Sequence, residues 1–253
     1  MKITFLGTGT SQGIPVIACD CKTCSSSDTR DKRLRASLLV ELEGKTMVID
    51  AGPDFRQQML REDVRQLDAI LLTHEHIDHI GGMDDVRAFN FKSNKAIDIF
   101  SDERVQKAIE RQYTYVFSEA GYPGAPKMNL HLISDNPIDL FGTFIYPIKV
   151  FHHKLPVYGF RIGEMAYITD ANFISPESKV KLSGIRHFII NALRKEKHLS
   201  HYSLDEALDL INEIAPEFAY ITHVGHTMGL HEEVTATLPS NVMLAYDGLC
   251  FIC

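Results

Sequence analysis

The sequence predicts an α/β (α+β) protein built as a layered sandwich, in which β-sheets are covered by helices. Strand patterns outnumber helix patterns along the 253 residues, and histidine or aspartate recurs where strands end. The chain contains neither a low-complexity linker nor a shift in composition. With 45% hydrophobic and 23% charged residues, it can bury a substantial core. Residues 1–253 are therefore expected to form one domain.

Charge and hydropathy exclude several classes of protein. The formal net charge is −7 at pH 7, which argues against a nucleic-acid partner because such binders usually carry a basic stripe. No apolar run reaches the roughly 18 residues that a membrane helix needs. The apolar stretch of residues 1–7 is too short for a signal peptide. We therefore expect an intracellular, cytoplasmic protein with no membrane partner.

The first third of the chain is predicted to be mostly strand. Residues 3–6 and 36–42 are short β-type runs, and residues 46–50 follow the second run across a Glu-Gly-Lys turn, which predicts a hairpin. Pro53 suits the first turn of a helix that continues to Leu60. Residues 68–73 then form an apolar run that predicts a buried strand leading to His74.

Farther along, helices and strands are interspersed. A helix is predicted over residues 102–117 with Ser101 as its N-cap, followed by a Gly/Pro-rich loop over residues 121–126. A second helix is predicted over residues 204–214 with Ser203 as its N-cap. Cys250 and Cys253 belong to a predicted terminal strand, where we interpret them as packing residues. The remaining predicted strands cover residues 129–133, 143–151, 158–162, 165–169, 188–191 and 218–222.

The segment HEHIDH at residues 74–79 carries the strongest chemical signal. It places three imidazoles and a carboxylate directly after a predicted strand, and Gly81 and Gly82 follow it. Imidazole nitrogen and carboxylate oxygen are the ligands of catalytic zinc and related ions. We expect a loop rather than a helix to fold these neighbours around two ions. The alternative is a set of surface histidines in a turn.

A cysteine cluster predicts a second metal site. Cys19, Cys21 and Cys24 lie too close together for ordinary disulfide geometry, and five cysteines is an odd number. Three thiolates supply all but one ligand of a closed structural zinc site, so the fourth must come from elsewhere. The alternative is a loop of free thiols.

The HEHIDH segment, with the strand before it and the two glycines after it, resembles the metallo-β-lactamase superfamily of metallohydrolases. The resemblance implies a four-layer αββα sandwich with the active site at the strand ends. Members carry a further His, a bridging Asp and a last His, each near a strand end. His152, Asp170 and His223 stand in those contexts here.

The resemblance implies a pair of divalent ions, manganese or zinc, that share Asp170. One ion would be held by His74, His76 and His152, and the other by Asp78, His79 and His223. Such a pair lowers the pKa of a shared water molecule toward neutrality. His153 competes with His152 for its role. Asp50 is interpreted either as the partner that orients a ligand imidazole or as a plain helix-entry residue.

A narrower resemblance concerns the phosphoribosyl 1,2-cyclic phosphate phosphodiesterases of this superfamily. They begin with a strand, a Gly-Thr-Gly turn and a Gly-x-Pro step before the cysteine cluster, here at residues 7–9 and 13–15. The resemblance to these enzymes also implies that His226 is the fourth ligand of the structural zinc. The structural zinc would then be held by Cys19, Cys21, Cys24 and His226.

The sequence differs from that subfamily at residues 191–201. His201 matches the family's active-site histidine because it stands just before a predicted helix, whereas His198 has no counterpart and is interpreted as a solvated loop residue. We expect attack of hydroxide from the two-metal site on phosphorus. His201 would contact the phosphate or protonate the leaving oxygen, and Asp78 belongs to the same catalytic group.

The expected function is therefore a metal-dependent phosphodiesterase that cleaves a small phosphodiester, with a cyclic ribose phosphodiester among the candidates. Two alternatives stay open. One is an RNA 3′-processing nuclease or a thioester or lactam hydrolase of the same superfamily, and the other is a non-catalytic zinc-binding protein. The expected partner is the small-molecule substrate, and a homodimer is left open.

Overall fold

The protein folds into two seven-stranded β-sheets that face each other, with helices on both outer surfaces. The structure is a computed structural model that describes residues 1–118 and 122–253. The four layers confirm the predicted αββα sandwich. Within the described residues, no helix has the length and hydropathy needed to span a membrane.

The first sheet is formed mainly by the N-terminal half, with strand order β14-β1-β2-β3-β4-β5-β6. The half from β3 to the edge strand β6 is parallel, whereas β14, β1, β2 and β3 pair antiparallel. These strands are β1 Lys2–Gly7, β2 Ser37–Leu42, β3 Lys45–Ile49, β4 Ala69–Leu71, β5 Ile97–Ser101, β6 Met128–Leu132 and β14 Cys250–Ile252.

The second sheet has the order β13-β12-β11-β10-β9-β8-β7. It is parallel from β10 to β13 and antiparallel from β7 to β10. These strands are β7 Ile138–Leu140, β8 Thr143–His152, β9 Leu155–Ile162, β10 Met165–Ile168, β11 His187–Asn191, β12 Phe218–Thr222 and β13 Val242–Leu244.

The helices are short and lie outside the sheets. Ser203 caps α7 through a capping box with Glu206, as its sequence predicts. In the part of the chain that the structure describes, 3₁₀ turns cover Thr29–Asp31, Met83–Val86 and His226–Met228. The α-helices are α1 Phe55–Arg61, α2 Ile77–Ile80, α3 Arg87–Ser93, α4 Glu103–Gln112, α5 Thr114–Phe117, α6 Pro176–Val180, α7 Leu204–Ile214 and α8 His231–Thr235.

Three apolar layers hold the sandwich together. Fully buried side chains of both sheets, including Phe5, Phe160 and Tyr220, meet between the sheets. A second cluster packs α1 and α4 onto the first sheet, and a third packs α7 onto the second sheet. Because each sheet is covered on both faces, the active residues are confined to the strand ends and the loops that follow them.

Several local predictions were wrong. The HEHIDH segment is not a loop throughout, because Asp78 and His79 lie on the single turn α2. The predicted helix over residues 102–117 breaks at Tyr113, and its N-cap is Asp102 rather than Ser101, which ends β5. Strands β5, β7 and β13 and helices α6 and α8 were not predicted.

Smaller differences concern single residues. Pro53 precedes the N-cap Asp54 and does not enter the first turn of α1. Cys250 is exposed and is not a packing residue, whereas Cys253 is partly buried against the layer between the sheets. Of the predicted loop over residues 121–126, Gly121 lies outside the described residues, and the rest contains neither helix nor strand.

Candidate metal centre

Acidic and imidazole side chains enter the centre at strand ends in an uncommon backbone conformation. Asp50 directly follows β3, Asp170 lies two residues after the end of β10, and His223 directly follows β12. Their φ angles are 65°, 54° and 54°. Left-handed backbone is uncommon outside glycine and costs free energy, and it clusters at functional sites. Each of the three residues turns the chain sharply as it leaves its strand, which aims the side chain across the end of the sandwich.

The HEHIDH segment is held against the turn after β3. The amide of Ala51 donates to the carbonyl of His79 at 2.7 Å, and the amide of Gly82 donates to the carbonyl of Ala51 at 2.8 Å. A Cβ at Gly52 would collide with the backbone carbonyl of Asp78. The glycine is therefore required by close backbone approach, which fixes where α2 presents its side chains.

One group of four donors is compact. The Nε2 atom of His79 lies 3.2 Å from carboxylate oxygens of both Asp78 and Asp170. The Nε2 atom of His223 lies 3.1 Å from the second oxygen of Asp170 and 3.8 Å from Asp78. The four donor atoms lie within 4.8 Å of one another, as a shared metal requires. This is the set that the resemblance implied for one ion.

The other set adjoins it across Asp170. The Nε2 of His74 lies 2.9 Å from the Nδ1 of His76, and the ring centroid of His152 is 5.8 Å from that of His74 and 5.3 Å from that of His76. A compact donor group is formed by His152, Asp170 and His201. Asp170 therefore stands between the two sets, and His201 belongs to the same cluster.

The residues fit a pair of divalent ions. Several buried ring nitrogens have no hydrogen-bond partner: Nε2 of His79, both nitrogens of His223 and Nδ1 of His201. Unpaired buried polar atoms are costly, so a cluster of them aimed at carboxylates indicates a missing ligand. The donors are nitrogen and oxygen, which suits zinc, manganese or iron.

The charges of the centre are strongly coupled. Burial alone would lower the pKa of His79, but Asp170, Asp50 and Asp78 outweigh burial and raise that pKa well above its usual value. Burial would raise the pKa of Asp170, yet His223 and His79 hold it well below its usual range. The carboxylate is therefore ionised, the state in which it can bind a metal.

Asp50 orients the histidines beside it. Its fully buried carboxylate accepts a hydrogen bond from Nδ1 of His79 at 2.7 Å and from the amide and hydroxyl of Thr73 at 2.9 Å each. The Thr73 hydroxyl also lies 3.0 Å from Nδ1 of His74. Asp50 thus leaves Nε2 of His79 free to bind a metal, which is the orienting role rather than the helix-entry alternative. Thr73, which the sequence reasoning missed, extends this role to His74.

The cysteine cluster meets the predicted histidine. The Sγ atoms of Cys19, Cys21 and Cys24 lie 3.3, 3.4 and 3.6 Å from Nδ1 of His226. Tetrahedral zinc with ordinary bond lengths spaces sulfur and nitrogen ligands by about 3.6 Å. The four residues form one donor group. Because His226 stands three residues after His223, the cluster ties the N-terminal loop to a residue of the metal centre.

Three other histidines considered in the sequence analysis lie at different distances from the metal centre. His153 is exposed in the β8–β9 turn and belongs to none of the described donor groups, so the structure brings His152 rather than His153 to the centre. The ring of His201 lies 4.6 Å from that of His152 and 5.0 Å from that of His223. His198 is half-buried, with its ring 5.2 Å from His201. It borders the centre more closely than a solvated loop residue would.

Burial keeps His201 uncharged. It lowers the pKa of the imidazole to about 3, and the neighbouring His223 adds to the effect. His152 is oriented by the backbone, since its Nδ1 lies 2.8 Å from the carbonyl oxygen of Ser200. The loop before α7 thus supplies one imidazole and positions another.

Comparison with known proteins identifies the family. Residues 45–224 match the model of the β-lactamase superfamily domain. The chain belongs to the metallo-β-lactamase superfamily. Its structure also matches a crystal structure described as a new diphosphatase from the PhnP family, with a TM-score of 0.93 and 36% sequence identity over 100% of this chain and 97% of that one. These matches confirm the predicted superfamily of metal-binding hydrolases and its fold.

The curated relatives are longer. An octanoyltransferase from Porphyromonas gingivalis is 38% identical over 98% of this chain and 51% of its own length. A ribonuclease Z from Thermosynechococcus vestitus is 26% identical over 65% of this chain and 37% of its own length. The chain therefore spans about half the length of these relatives, or less. The PqqB structure from Methylobacterium extorquens, with a TM-score of 0.81 and 15% identity, supports the fold alone.

Proposed function

We propose that the protein is a metal-dependent phosphohydrolase that cleaves a small phosphodiester, with a cyclic ribose phosphodiester as the first candidate. The observation that carries the proposal is the position of Asp170 between two sets of nitrogen and oxygen donors, in a chain that matches a phosphohydrolase over its whole length. A purely structural metal site needs only one closed set of ligands. When bound, a pair of divalent ions would acidify water and neutralise charge on phosphate oxygens.

The protein's own residues would hold and orient the reacting groups. Of the ion pair, one member would be held by His74, His76 and His152, and the other by Asp78, His79 and His223, with Asp170 between them. Asp50 keeps the proton of His79 on Nδ1 and so leaves Nε2 available. Ser200 fixes the ring of His152 in the same way through its carbonyl oxygen.

His201 would bind the substrate at the edge of the metal centre. A neutral imidazole has one N–H, which it can donate to a phosphate oxygen. Protonation of a leaving oxygen by His201 would require the anionic substrate to raise the pKa of the ring. We therefore favour phosphate contact over proton donation for this residue.

A diphosphate is the second candidate for the substrate. The full-length match to a protein described as a diphosphatase favours it, since that structure is 36% identical to this chain. Both candidates present a phosphorus atom with anionic oxygens to the same centre. They differ in the leaving group, which is a sugar hydroxyl in one and a second phosphate in the other.

The names of the longer relatives carry less weight for this chain. The octanoyltransferase is named for an activity of a whole protein, and this chain matches only about half of that protein's length. The metal centre supports hydrolysis rather than acyl transfer to a second substrate. A ribonuclease activity conflicts with the net charge of −7. A cytoplasmic location and a homodimer stay predictions from the sequence.

A substrate panel tests the proposal. Purified protein loaded with zinc or manganese would be assayed on a cyclic ribose phosphodiester, a dinucleoside diphosphate, an octanoyl thioester and a lactam. We expect phosphodiester turnover that is lost on chelation and absent from Asp170→Asn. A higher kcat/KM for the diphosphate would favour the second candidate. Thioester or lactam turnover without phosphorus chemistry would refute both.

A further inference from the structure

An arginine outside the donor sets connects the two sheets beside the metal centre. The Nη2 of Arg104 donates a hydrogen bond to the backbone carbonyl of Pro156 at 2.6 Å. Its Nε lies 3.0 Å from Oε2 of Glu75, and the two form an ion pair without the alignment of a hydrogen bond. Neither Arg104 nor Glu75 belongs to the donor sets described above.

The local structure holds Arg104 in place. It is the second residue of α4, whose N-cap Asp102 accepts a hydrogen bond from the amide of Val105 at 2.8 Å. A cation in the first turn of a helix is disfavoured by the helix dipole. The carboxylates of Glu75 and Asp102, the latter 3.7 Å away, offset that cost. The position is therefore explained by its partners rather than by the helix.

Both contacts of Arg104 adjoin histidines of the same predicted ion site. Glu75 stands between His74 and His76 in the first sheet's active loop. Pro156 lies on β9 beside the residue that pairs with His152 in the second sheet. The three imidazoles assigned to one ion thus come from two sheets. Arg104 contacts the residue between two of them and the strand that pairs with the third.

One further bond crosses the sheets at this level. The amide of Tyr158 donates to the carbonyl of Thr73 at 3.0 Å. That bond holds Thr73, two residues after β4 ends at Leu71, but it does not reach Glu75. The contact with Glu75 extends the connection into the motif itself.

We propose that Arg104 is a positioning residue that sets the spacing between the His74–His76 pair and His152 through Glu75 and Pro156. The proposal rests on the site's ability to bind metal and not on the identity of the substrate. An ion pair with this partial exposure contributes little to stability by itself. Groups that orient metal ligands, in contrast, change metal affinity by about 10–100-fold.

The test compares Arg104→Met and Glu75→Gln with Lys107→Met. Lys107 forms an ion pair with Glu103 at 2.6 Å on the same helix, remote from the motif, so its loss controls for the removal of a cation from α4. Arg104→Lys keeps the charge but not the planar fork that reaches two partners. All four variants retain the cysteine cluster, so differences in metal retention report on the other ions.

Zinc-loaded samples would be dialysed against increasing chelator concentrations, and zinc per chain would be counted. We expect Arg104→Met to release one ion at about tenfold less chelator than the wild type and Lys107→Met, with Arg104→Lys in between. The visible absorption of cobalt-loaded Arg104→Met should also change, because that spectrum reports ligand geometry. Glu75→Gln should shift in the same direction and carries the test if Arg104→Met fails to fold.

Retention curves and cobalt spectra identical to those of Lys107→Met would overturn the proposal. So would equal losses of Tm with and without metal, which indicate a structural role only. None of these measurements requires turnover. The role proposed for Arg104 can therefore be refuted while the proposed hydrolase activity is confirmed, and it can be confirmed while that activity is refuted.

Discussion

Replacement of Asp50 by asparagine should weaken metal binding without removing a ligand. The carboxylate accepts hydrogen bonds on both oxygens: Oδ2 accepts from Nδ1 of His79 and from the hydroxyl of Thr73, and Oδ1 accepts from the amide of Thr73. An asparagine amide can accept on only one side. If its NH₂ group faces His79, the ring must carry its proton on Nε2, the nitrogen that faces Asp78 and Asp170. If the NH₂ group faces Thr73, two donors oppose each other in a fully buried place.

Loss of a carboxylate that orients a metal ligand weakens metal binding about 10–100-fold, and we expect an effect of this size for Asp50→Asn. That factor equals about 1.4–2.7 kcal/mol of binding free energy. Metal that binds only the folded state raises stability by the same linkage. For a chain of this size, the gain in Tm on metal loading should therefore fall by about 3–11 °C.

Calorimetry of stripped and zinc-loaded protein measures this gain. The gain is a better readout than Tm itself, because loss of the ion pair between Asp50 and His79 affects both states. Asp68→Asn is the matched control, since Asp68 also accepts a backbone amide, from Thr46 at 2.9 Å, but lies at the other end of β4. An unchanged gain for Asp50→Asn would refute the orienting role.

Three further results are expected. His201→Ala should retain its full metal content and lose about 10²–10³-fold in kcat on a phosphodiester, the loss expected for one hydrogen-bond donor to the reacting phosphate, and unchanged kcat would remove it from the site. Gly52→Ala should displace the backbone of Asp78 and abolish turnover, whereas an active, fully loaded variant would contradict the close approach seen here. His226→Ala should lower zinc content by one ion per chain and reduce Tm, measured by elemental analysis and calorimetry. Unchanged zinc content would exclude His226 as a ligand.

The main site residues were predictable because they share one sequence context. His74, His152, Asp170 and His223 each stand at the end of a strand or one to three residues beyond it, and the strand ends meet at one edge of the sandwich. The chemistry of those residue types then selects a metal centre. Element boundaries were predictable where a capping signal is strong, as at Ser203 before α7.

Other features depend on tertiary contacts that no local pattern contains. The left-handed backbone at Asp170 is uncommon outside glycine, and nothing in the local sequence marks it. The strand β5 was missed because Ile97–Ser101 alternates buried and half-buried residues over only five positions, beside a stronger helix signal. The contact of Arg104 with Glu75 joins residues 29 positions apart in sequence, with nothing between them to predict it.

The same coupling of charges explains why the centre suits metal rather than a proton. Without metal, the raised pKa of His79 places a proton among the carboxylates of Asp50, Asp78 and Asp170. Even with that proton present, the ring nitrogens of His223 have no hydrogen-bond partner. A divalent ion would carry twice the charge, and His79, His223 and the carboxylates of Asp78 and Asp170 would hold it in place of the proton. Residues that hold the donors in place, Asp50 among them, therefore act on the competition between metal and proton.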